Sequence, residues 1–297
     1  MQTIHLVEIR KHLLQELDCK EKQCFPPHDW NKLFKEEEAN MKQKLTVKDV
    51  MSKPVSIAKS ALIPEALSKM LNEGIDPMVV TNDHVVVGTA SRRTIAEKMG
   101  SKKTGNIPAS QIRVASVTKD DFTSVYQDQD AELLVPLLQR YKIVIVWDEE
   151  HRLIGQVTKG DLLKHIVPDG PLDSMTEIAP RITPDDRLVQ LHRRMANNGA
   201  TRFIVMDGNK SVGIVTETDI AKVLVKLKSE IDKHFDNALR NVTAGDIMST
   251  PLITTQVNTP VSKVVEMMLA KNISTVPIAE GEKVIGFITR KSLVNAL

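Results

Sequence analysis

Apolar and polar positions along this 297-residue chain follow one pattern that occurs four times. In the last copy, apolar residues at helical spacing cover 259–270, and an extended segment at 251–255 precedes them. Two short runs with strand composition, 274–278 and 284–289, follow on either side of a turn. A further helix begins at Arg290. The predicted order within one unit is therefore strand, helix, strand, strand, helix.

The other three copies show the same order at matching distances along the chain. Copies one, three and four begin with Asp-x-Met, whereas copy two has Val117 at that place. The elements predicted for these copies are 64–72, 78–80, 85–90 and 92–99 in copy one, 133–138, 143–147 and 153–158 in copy two, and 187–197, 202–206, 212–216 and 217–227 in copy three.

One unit of about 55 residues with a three-stranded sheet does not cover both faces of that sheet by itself. The adjacent copy is the nearest partner for the exposed face. We therefore expect an α/β (α+β) fold in which neighbouring copies pair into two modules. The predicted boundaries are a helical N-terminal extension at 1–44, module 1 at 45–168 with repeats 45–103 and 106–168, and module 2 at 169–297 with repeats 172–230 and 242–297.

A short phrase in each repeat runs from a glycine in the last strand into the start of the last helix. It places a serine or threonine at the predicted N-cap, where the hydroxyl can accept from free backbone N–H groups. Three positions later, repeats two and three have an aspartate, whereas repeats one and four have a hydroxyl. The four phrases are Gly88-Thr-Ala-Ser-Arg-Arg-Thr-Ile95, Gly155-Gln-Val-Thr-Lys-Gly-Asp-Leu162, Gly213-Ile-Val-Thr-Glu-Thr-Asp-Ile220 and Gly286-Phe-Ile-Thr-Arg-Lys-Ser-Leu293.

This order of elements and the Gly-h-h-Thr-x-x-Asp signature resemble the cystathionine β-synthase (CBS) domain, whose tandem pairs are called Bateman modules. Four copies in register over 45–297 are similar to stand-alone proteins with four CBS repeats and to the γ subunit of AMP-activated protein kinase. The resemblance implies clefts between paired repeats that bind adenosine derivatives such as AMP, ADP, ATP or S-adenosylmethionine.

The resemblance also implies that Asp161 and Asp219 bind ribose, with Thr158 and Thr216 beside them. One carboxylate can accept from two neighbouring ribose hydroxyls, and such charge-assisted bonds contribute roughly 1.5–3 kcal/mol each. The same Thr-x-x-Asp pattern is a helix capping box, which needs no ligand. Both interpretations are open at this level.

Candidate phosphate ligands lie in the first turn of the same helices. A helix N-terminus disfavours cations, so a bound phosphate would compensate for them, and a solvated helix surface is the alternative explanation. The cations are Arg92, Arg93, Lys159, Arg290 and Lys291, and the N-cap hydroxyls of repeats one and four, Ser91 and Thr289, are further candidates.

Repeat three supplies four further candidates. Arg202 is a phosphate candidate because its strand borders the cleft in the resembling family. Ile182, Thr183 and Phe203 are candidate walls for adenine, and packing in the core is the alternative for each of them.

Composition argues against several other classes of protein. A net charge of +2 and an aromatic content of 3% do not favour nucleic-acid binding. The apolar runs are too short to span a bilayer, and the first residues are amphipathic rather than a continuous apolar signal. We therefore expect a soluble cytoplasmic protein with no nucleic-acid or membrane partner.

The first 44 residues contain the two cysteines, Cys19 and Cys24, followed by His28. Zinc sites normally need a second close pair of ligands, so no metal site is predicted. Apolar stripes in this segment predict short helices that pack on the modules or dock a partner.

The expected function is that of a regulatory protein that senses AMP, ADP or ATP and has no catalytic residues of its own. No metal-binding carboxylate cluster, nucleophile set or phosphate loop is visible in the sequence. No cofactor is required, and a protein partner or a second copy of the chain would read the bound state. The alternatives are a sensor of S-adenosylmethionine or methylthioadenosine, a ligand-free scaffold and a nucleotide hydrolase.

Overall fold

Apolar side chains at helical or alternate spacing place the helices and strands close to their predicted positions. The first long helix shows this, because Ile63, Ala66, Leu67 and Met70 form one buried stripe. The computed structural model describes residues 45–101, 104, 107–230, 235–281 and 283–297. The predicted helical extension, with both cysteines, lies outside these described residues.

Module 1 contains repeats one and two. Repeat one comprises α1 Val47–Val50, β1 Ser56–Ala58, α2 Ile63–Asn72, β2 Met78–Asn82, β3 Val85–Ala90 and α3 Arg92–Met99. Repeat two comprises β4 Thr123–Tyr126, α4 Leu134–Arg140, β5 Ile143–Trp147, β6 Leu153–Thr158 and the one-turn helix α5 Lys159–Leu162.

Module 2 contains repeats three and four. Repeat three comprises β7 Arg181–Ile182, α6 Leu188–Asn198, β8 Arg202–Asp207, β9 Lys210–Thr216 and α7 Glu217–Glu230. After α8 Phe235–Asn241, repeat four comprises α9 Ala244–Ile247, β10 Thr255–Gln256, α10 Val261–Ala270, β11 Thr275–Glu280, β12 Lys283–Thr289 and α11 Arg290–Asn295.

The described residues form four three-stranded sheets, one in each repeat. In each sheet the first strand runs parallel to the second, and the second pairs antiparallel with the third. This arrangement follows from the connections, because a helix links the parallel pair and a tight turn links the antiparallel pair. The predicted fold class is confirmed.

Paired repeats exchange their lead-in segments, by which we mean the residues between the start of a repeat and its first strand. Each lead-in segment forms a short antiparallel bridge with the last strand of the neighbouring repeat. The bridged pairs are Ser52 with Gln156, Thr89 with Lys119, Glu177 with Phe287 and Ile214 with Ser249. Repeat one is thereby joined to repeat two, and repeat three to repeat four.

The hydrophobic cores are of two kinds, one within a module and the other between modules. Sheets pack within a module, as shown by Val79 against Ile143 and Ile145 in module 1. Helices pack between modules, because one large core unites repeats one and three and another unites repeats two and four. The pairing of repeats across the two modules is therefore made by helices.

Candidate ligand clefts

Four clefts follow from the exchange of lead-in segments. Each lies between the start of the last helix in one repeat and the lead-in segment of its neighbour. We number each cleft after the repeat that supplies the helix. Clefts 1 and 2 belong to module 1, and clefts 3 and 4 belong to module 2.

The repeated glycine is required by this close approach. A Cβ atom on Gly88 would lie 2.3 Å from the carbonyl oxygen of Lys119, and one on Gly286 would lie 2.5 Å from that of Glu177. In the other two repeats a methionine side chain fills the same space, since a Cβ on Gly155 would lie 2.4 Å from Sδ of Met51. The glycine of the phrase thus allows two repeats to meet at each cleft.

In cleft 2, Asp161 is buried, and both oxygens of its carboxylate have partners. Oδ2 accepts from the backbone N–H of Thr158 at 2.9 Å and from its hydroxyl at 2.7 Å. The hydroxyl of Ser52, in the lead-in segment of repeat one, also reaches Oδ2 at 3.3 Å. Oδ1 is paired with the ammonium of Lys164 at 2.9 Å. The carboxylate therefore caps its helix and faces the neighbouring repeat at the same time.

In cleft 3, Asp219 caps its helix in the same way, but among the described residues its Oδ1 has no ion pair like that of Asp161 with Lys164. Oδ2 accepts from the N–H of Thr216 at 2.8 Å and from its hydroxyl at 2.7 Å. Oδ1 is 3.5 Å from the hydroxyl of Ser249, in the lead-in segment of repeat four. The capping interpretation is confirmed for both aspartates, yet the second oxygen of Asp219 faces the groove between two repeats.

Clefts 1 and 4 have a hydroxyl in place of the aspartate. In cleft 1, the hydroxyl of Ser91 accepts from the N–H of Thr94 at 3.2 Å. In cleft 4, the hydroxyl of Thr289 accepts from the N–H of Ser292 and donates to the carboxylate of Glu177 at 2.7 Å. In cleft 4, the proton of the N-cap hydroxyl is therefore already donated to a carboxylate of the chain itself.

Cleft 1 contains a cavity of about 250 Å³ with a mixed, mainly basic lining. Arg93, Lys119 and Lys142 provide positive charge, and Glu97 and Asp121 provide negative charge. The guanidinium of Arg93 is paired with Glu97 at 2.9 Å. The remaining lining residues are Pro77, Thr89, Ser91 and Thr94.

Three of the first-turn cations, those directly after the N-cap, bind carbonyl groups at the end of α2, α4 or α10 in their own repeat. Arg92 donates to the carbonyl oxygens of Met70 and Ile75 at 3.1 and 3.2 Å. Lys159 donates to those of Leu138 and Tyr141, and Arg290 donates to that of Met268. A helix C-terminus carries partial negative charge, which explains cations at these positions. Binding of phosphate by these three side chains stays a prediction.

Burial lowers the pKa of two of these cations. Burial, and then repulsion from Lys291 and Lys142, lowers the pKa of Lys159 to about 8. Burial also lowers the pKa of Arg290, and the nearby Asp161 carboxylate opposes that shift. Gly160 leaves room for this guanidinium, since a Cβ there would lie 2.7 Å from Nη1 of Arg290.

Arg202 lies between repeats three and four. Its Nη1 donates to the hydroxyl of Thr275 at 2.5 Å, and its guanidinium lies 5.3 Å from the ring centre of Phe287. Burial lowers the pKa of Arg202, while the carboxylates of Glu177 and Glu217 oppose that shift. Arg202 is therefore a cation that both halves of module 2 share.

Two of the adenine candidates of repeat three are buried, and the third lies in a turn. Ile182 and Phe203 belong to the core that contains the helices of repeats one and three. Thr183 starts a turn, in which its N–H donates to Asp186 at 2.7 Å. Packing and turn formation explain the positions of these side chains, and their contact with adenine stays a prediction.

Sequence reasoning did not identify several cleft residues. These residues lie outside the repeated phrase. Four of them belong to lead-in segments, namely Ser52, Lys119, Glu177 and Ser249, and the fifth, Lys142, directly precedes β5. A signal existed, because each lead-in segment follows an Asp-x-Met or equivalent position. The sequence does not show which strand that segment joins.

The comparisons with known proteins agree with this geometry. The model of the CBS domain matches four segments of the chain, at 47–101, 114–168, 172–226 and 244–297. The chain belongs to the CBS domain family. CBS domain pairs are regulatory ligand-binding modules, and the four matched segments are the four repeats described above.

Similar proteins are found in archaea. Protein MJ1225 of Methanocaldococcus jannaschii is 23% identical over 239 residues, which cover 74% of this chain and 85% of that protein. Its crystal structure, described as that of a proposed archaeal homologue of γ-AMPK, has a TM-score of 0.71 and covers 84% of this chain and 99% of the other. A conserved uncharacterised protein of Pyrococcus horikoshii is 19% identical, with a TM-score of 0.55 over 84% of this chain and 99% of the other. At this identity the two structures show a common fold.

Two features are absent from the described residues. No helix in that part of the chain is both long enough and apolar enough to cross a bilayer. No group of three or more His, Cys, Asp or Glu side chains in the same residues could hold a metal ion.

Proposed function

We propose that this CBS protein is a regulatory sensor of adenosine-containing ligands, with AMP, ADP or ATP as its physiological ligand and no catalytic activity of its own. Ligand binding in the clefts would favour one arrangement of the two modules, and a protein partner or a second copy of the chain would read that arrangement. A ligand can shift such an equilibrium only by its differential affinity for the two states.

The carboxylate of Asp219 is the observation that carries the proposal. Its Oδ2 caps α7, while Oδ1 faces Ser249 across the groove at 3.5 Å. A 3.5 Å contact is a weak hydrogen bond, so ribose hydroxyls can replace it with little loss. Asp161 supports the same role in cleft 2, where ribose would displace Ser52 or Lys164.

Phosphate recognition is a second part of the proposal. Cleft 1 has a cavity with Arg93, Lys119 and Lys142 in its lining, and cleft 3 has Arg202 close to the start of α7. Arg92, Lys159 and Arg290 would contribute only after release from the carbonyl groups that they bind. We therefore expect phosphate to be recognised first by Arg93, Lys119, Lys142 and Arg202.

The description of MJ1225 as a proposed homologue of γ-AMPK makes AMP the first ligand to test. Asp219 would also serve S-adenosylmethionine or methylthioadenosine, because its contact is with ribose and not with phosphate. These two compounds therefore belong in the same screen, with ADP and ATP.

The test compares two aspartates with the same local structure. Asp246 caps α9 as Asp219 caps α7, since its Oδ2 accepts from the N–H and the hydroxyl of Thr243 at 2.8 and 2.9 Å. Asp246, however, is exposed, and among the described residues its carboxylate is hydrogen-bonded only to Thr243 of its own repeat, with no contact across the groove. Asp219→Asn should weaken AMP binding roughly tenfold or more in calorimetric titration, because it removes charge-assisted bonds to ribose. Asp246→Asn should bind AMP as the wild type does.

Three results would count against the proposal. Equal affinity for AMP in wild type and Asp219→Asn would remove the ribose assignment. Equal losses in both variants would show that capping alone is at work. If none of the adenosine compounds stabilises the wild type against heat, the scaffold alternative is favoured, since a ligand at a hundred times its Kd stabilises by about 2.7 kcal/mol.

A further inference from the structure

Repeat three differs from the other repeats at the first position after the N-cap. Repeats one, two and four have Arg92, Lys159 and Arg290 there, and each of these cations binds carbonyls at the end of a helix. Repeat three has Glu217. The corresponding helix, α6, ends instead at Gly199 in the left-handed conformation, with a φ of 68°, which is a helix end that needs no cation.

Glu217 is largely buried in an electrostatic environment made by both modules. Only 14% of its side chain is exposed, and its Oε1 lies 3.9 Å from Nη1 of Arg93. Among the described residues, no hydrogen-bond donor reaches Oε1. Burial raises the pKa of Glu217 and Asp76 adds to that rise, whereas the charges of Lys142, Arg93 and Arg202 oppose it. These cations are therefore the interactions that favour the ionised carboxylate.

Two of these cations also line the cavity of cleft 1. Arg93 and Lys142 line the cavity, and the positive charge of each also favours the ionised form of Glu217. Arg93 is held by Glu97 at 2.9 Å and donates to the carbonyl of Met195 in α6 at 3.4 Å. Its neighbour Arg92 donates to the hydroxyl of Thr218 at 3.1 Å. The start of α3 in module 1 is thus attached to the start of α7 in module 2.

We propose that Glu217 is an internal counter-ion that competes with an anionic ligand group for Arg93 and Lys142 in cleft 1. The ligand class is a compound with two or more linked phosphates, either free or as part of a nucleotide. The proposal rests on the proposed function, in that it takes cleft 1 to be a ligand site. It adds a route by which binding in module 1 is coupled to the start of α7 in module 2.

Competition for the same cations makes the coupling reciprocal. An anion in cleft 1 attracts Arg93 and Lys142 and so weakens their interaction with Glu217 at the start of α7. Conversely, a ligand in module 2 that moves Glu217 away from these cations strengthens anion binding in cleft 1. The factor is the same as that by which the anion strengthens binding of that ligand. The coupling passes through one ion pair between modules, at a place where the other repeats have no acid.

The experiment uses pyrophosphate, which has neither ribose nor adenine. Calorimetric titration at low salt compares wild type with Glu217→Gln and with Glu266→Gln, which removes the same charge from an exposed pair with Lys263. Glu217→Gln should bind pyrophosphate roughly five- to twentyfold more tightly, at the low end of the coupling between sites in proteins. Glu266→Gln should match the wild type. In an Arg93→Gln background, the gain from Glu217→Gln should fall to less than half.

A second uncharged variant protects the test against a folding defect. If Glu217→Gln does not fold, Glu217→Met takes its place in the test. Methionine is uncharged and nearly as long as glutamate, and this variant should bind pyrophosphate more tightly than the wild type. An ADP titration separates the two ligand sources, since binding of ADP in cleft 1 should be tightened by the same variants while adenosine affinity stays unchanged. A gain for pyrophosphate alone indicates a site for free phosphates.

The outcomes separate this proposal from the proposed function. Unchanged or weaker pyrophosphate binding in Glu217→Gln overturns the counter-ion, as does a complete lack of binding in both folded proteins. If adenosine compounds do not bind but Glu217→Gln tightens pyrophosphate binding, the counter-ion stands and the adenosine sensor fails. If Asp219→Asn weakens AMP but Glu217→Gln leaves pyrophosphate unchanged, the sensor stands and the counter-ion fails.

Discussion

At the scale of single residues, the polar side chains of the clefts form hydrogen bonds that stabilise the fold without any ligand. Asp161 and Asp219 cap their helices with one oxygen, and Arg92, Lys159 and Arg290 bind the carbonyl ends of neighbouring helices. Residue types therefore do not distinguish a binding site from a capped helix. The distinction depends on the second oxygen of a carboxylate and on which charges remain near a cavity.

Lys159 offers a prediction at this scale. Its pKa of about 8 is lower than that of an unfolded lysine, so between about pH 8 and 10.5 the unfolded chain binds a proton that the folded chain does not. The free energy of unfolding contributed by Lys159 therefore rises with pH across this window, by up to about 3 kcal/mol. Below about pH 8 the full cost of burying the charged ammonium is present.

The measurement compares wild type with Lys159→Met by urea unfolding at pH 8 and pH 10. The stability of the wild type relative to the variant should increase at the higher pH. Lys263→Met, at an exposed lysine paired with Glu266, serves as the control and should show no such trend. Parallel pH dependences for wild type and Lys159→Met would show that the ammonium is not buried as described.

At the scale of elements, the exchange of lead-in segments explains the glycine of the repeated phrase. Each of these glycines lies where a segment of the neighbouring repeat crosses the last strand. The obstacle differs between repeats. Gly286 faces the backbone oxygen of Glu177, whereas Gly155 faces the flexible end of Met51.

Glycine substitutions should therefore differ in their effect on stability. Gly286→Ala should lower the free energy of unfolding by about 1–3 kcal/mol, because backbone cannot yield as a side chain does. Gly155→Ala should cost less, since the methionine side chain can rotate away. Gly245→Ala is the control, because the nearest atoms to its Cβ would be at 3.4 Å and alanine favours a helix.

Urea midpoints of the three alanine variants provide the measurement. The expected order of stability is Gly245→Ala, then Gly155→Ala, then Gly286→Ala. Equal midpoints for Gly286→Ala and Gly245→Ala would contradict the crossing of the lead-in segment over β12.

At the scale of the whole molecule, two cores cross the boundary between the modules. Ile95 and Met99 of repeat one share a core with Ile220 and Leu224 of repeat three. A second core contains Leu134 of repeat two and Val264 of repeat four. Either module separated from the other would expose these helix faces to water, so we expect residues 45–297 to unfold together.

Cooperative unfolding predicts that a change in module 2 is felt in module 1. Leu224→Ala removes a fully buried side chain of α7 and should destabilise the protein by about 2–5 kcal/mol. Trp147 in β5 reports on module 1 by fluorescence, and a Trp30→Phe background removes the other tryptophan. The fluorescence midpoint should shift with Leu224→Ala as far as the circular dichroism midpoint does.

Val85→Ala is the matched control, since 64% of that side chain is exposed. It should leave both midpoints nearly unchanged. A Trp147 transition that Leu224→Ala does not move would show that the modules unfold independently.

Local elements were predictable because periodicity and turn residues act over a few positions. The strand predicted at 85–90 and the helix predicted at 92–99 coincide with β3 and α3, and the helix predicted at 187–197 differs from α6 by one residue at each end. The extended segment predicted at 251–255 contains β10 only at its last residue. The preceding residues include Ser249, which pairs with Ile214 of another repeat, and no local pattern encodes that partner.

The sequence alone determined the repeated unit, its order of elements, the family, and the aspartates at two of the four helix starts. These properties depend on hydrophobic period and on short phrases, which are local. The tertiary structure decided which repeats share helices, which oxygen of each aspartate faces a groove, and that Arg93 and Lys142 lie near Glu217. Such relations join residues far apart in the chain, because burial and charge depend on what packs against a side chain and not on its neighbours in sequence.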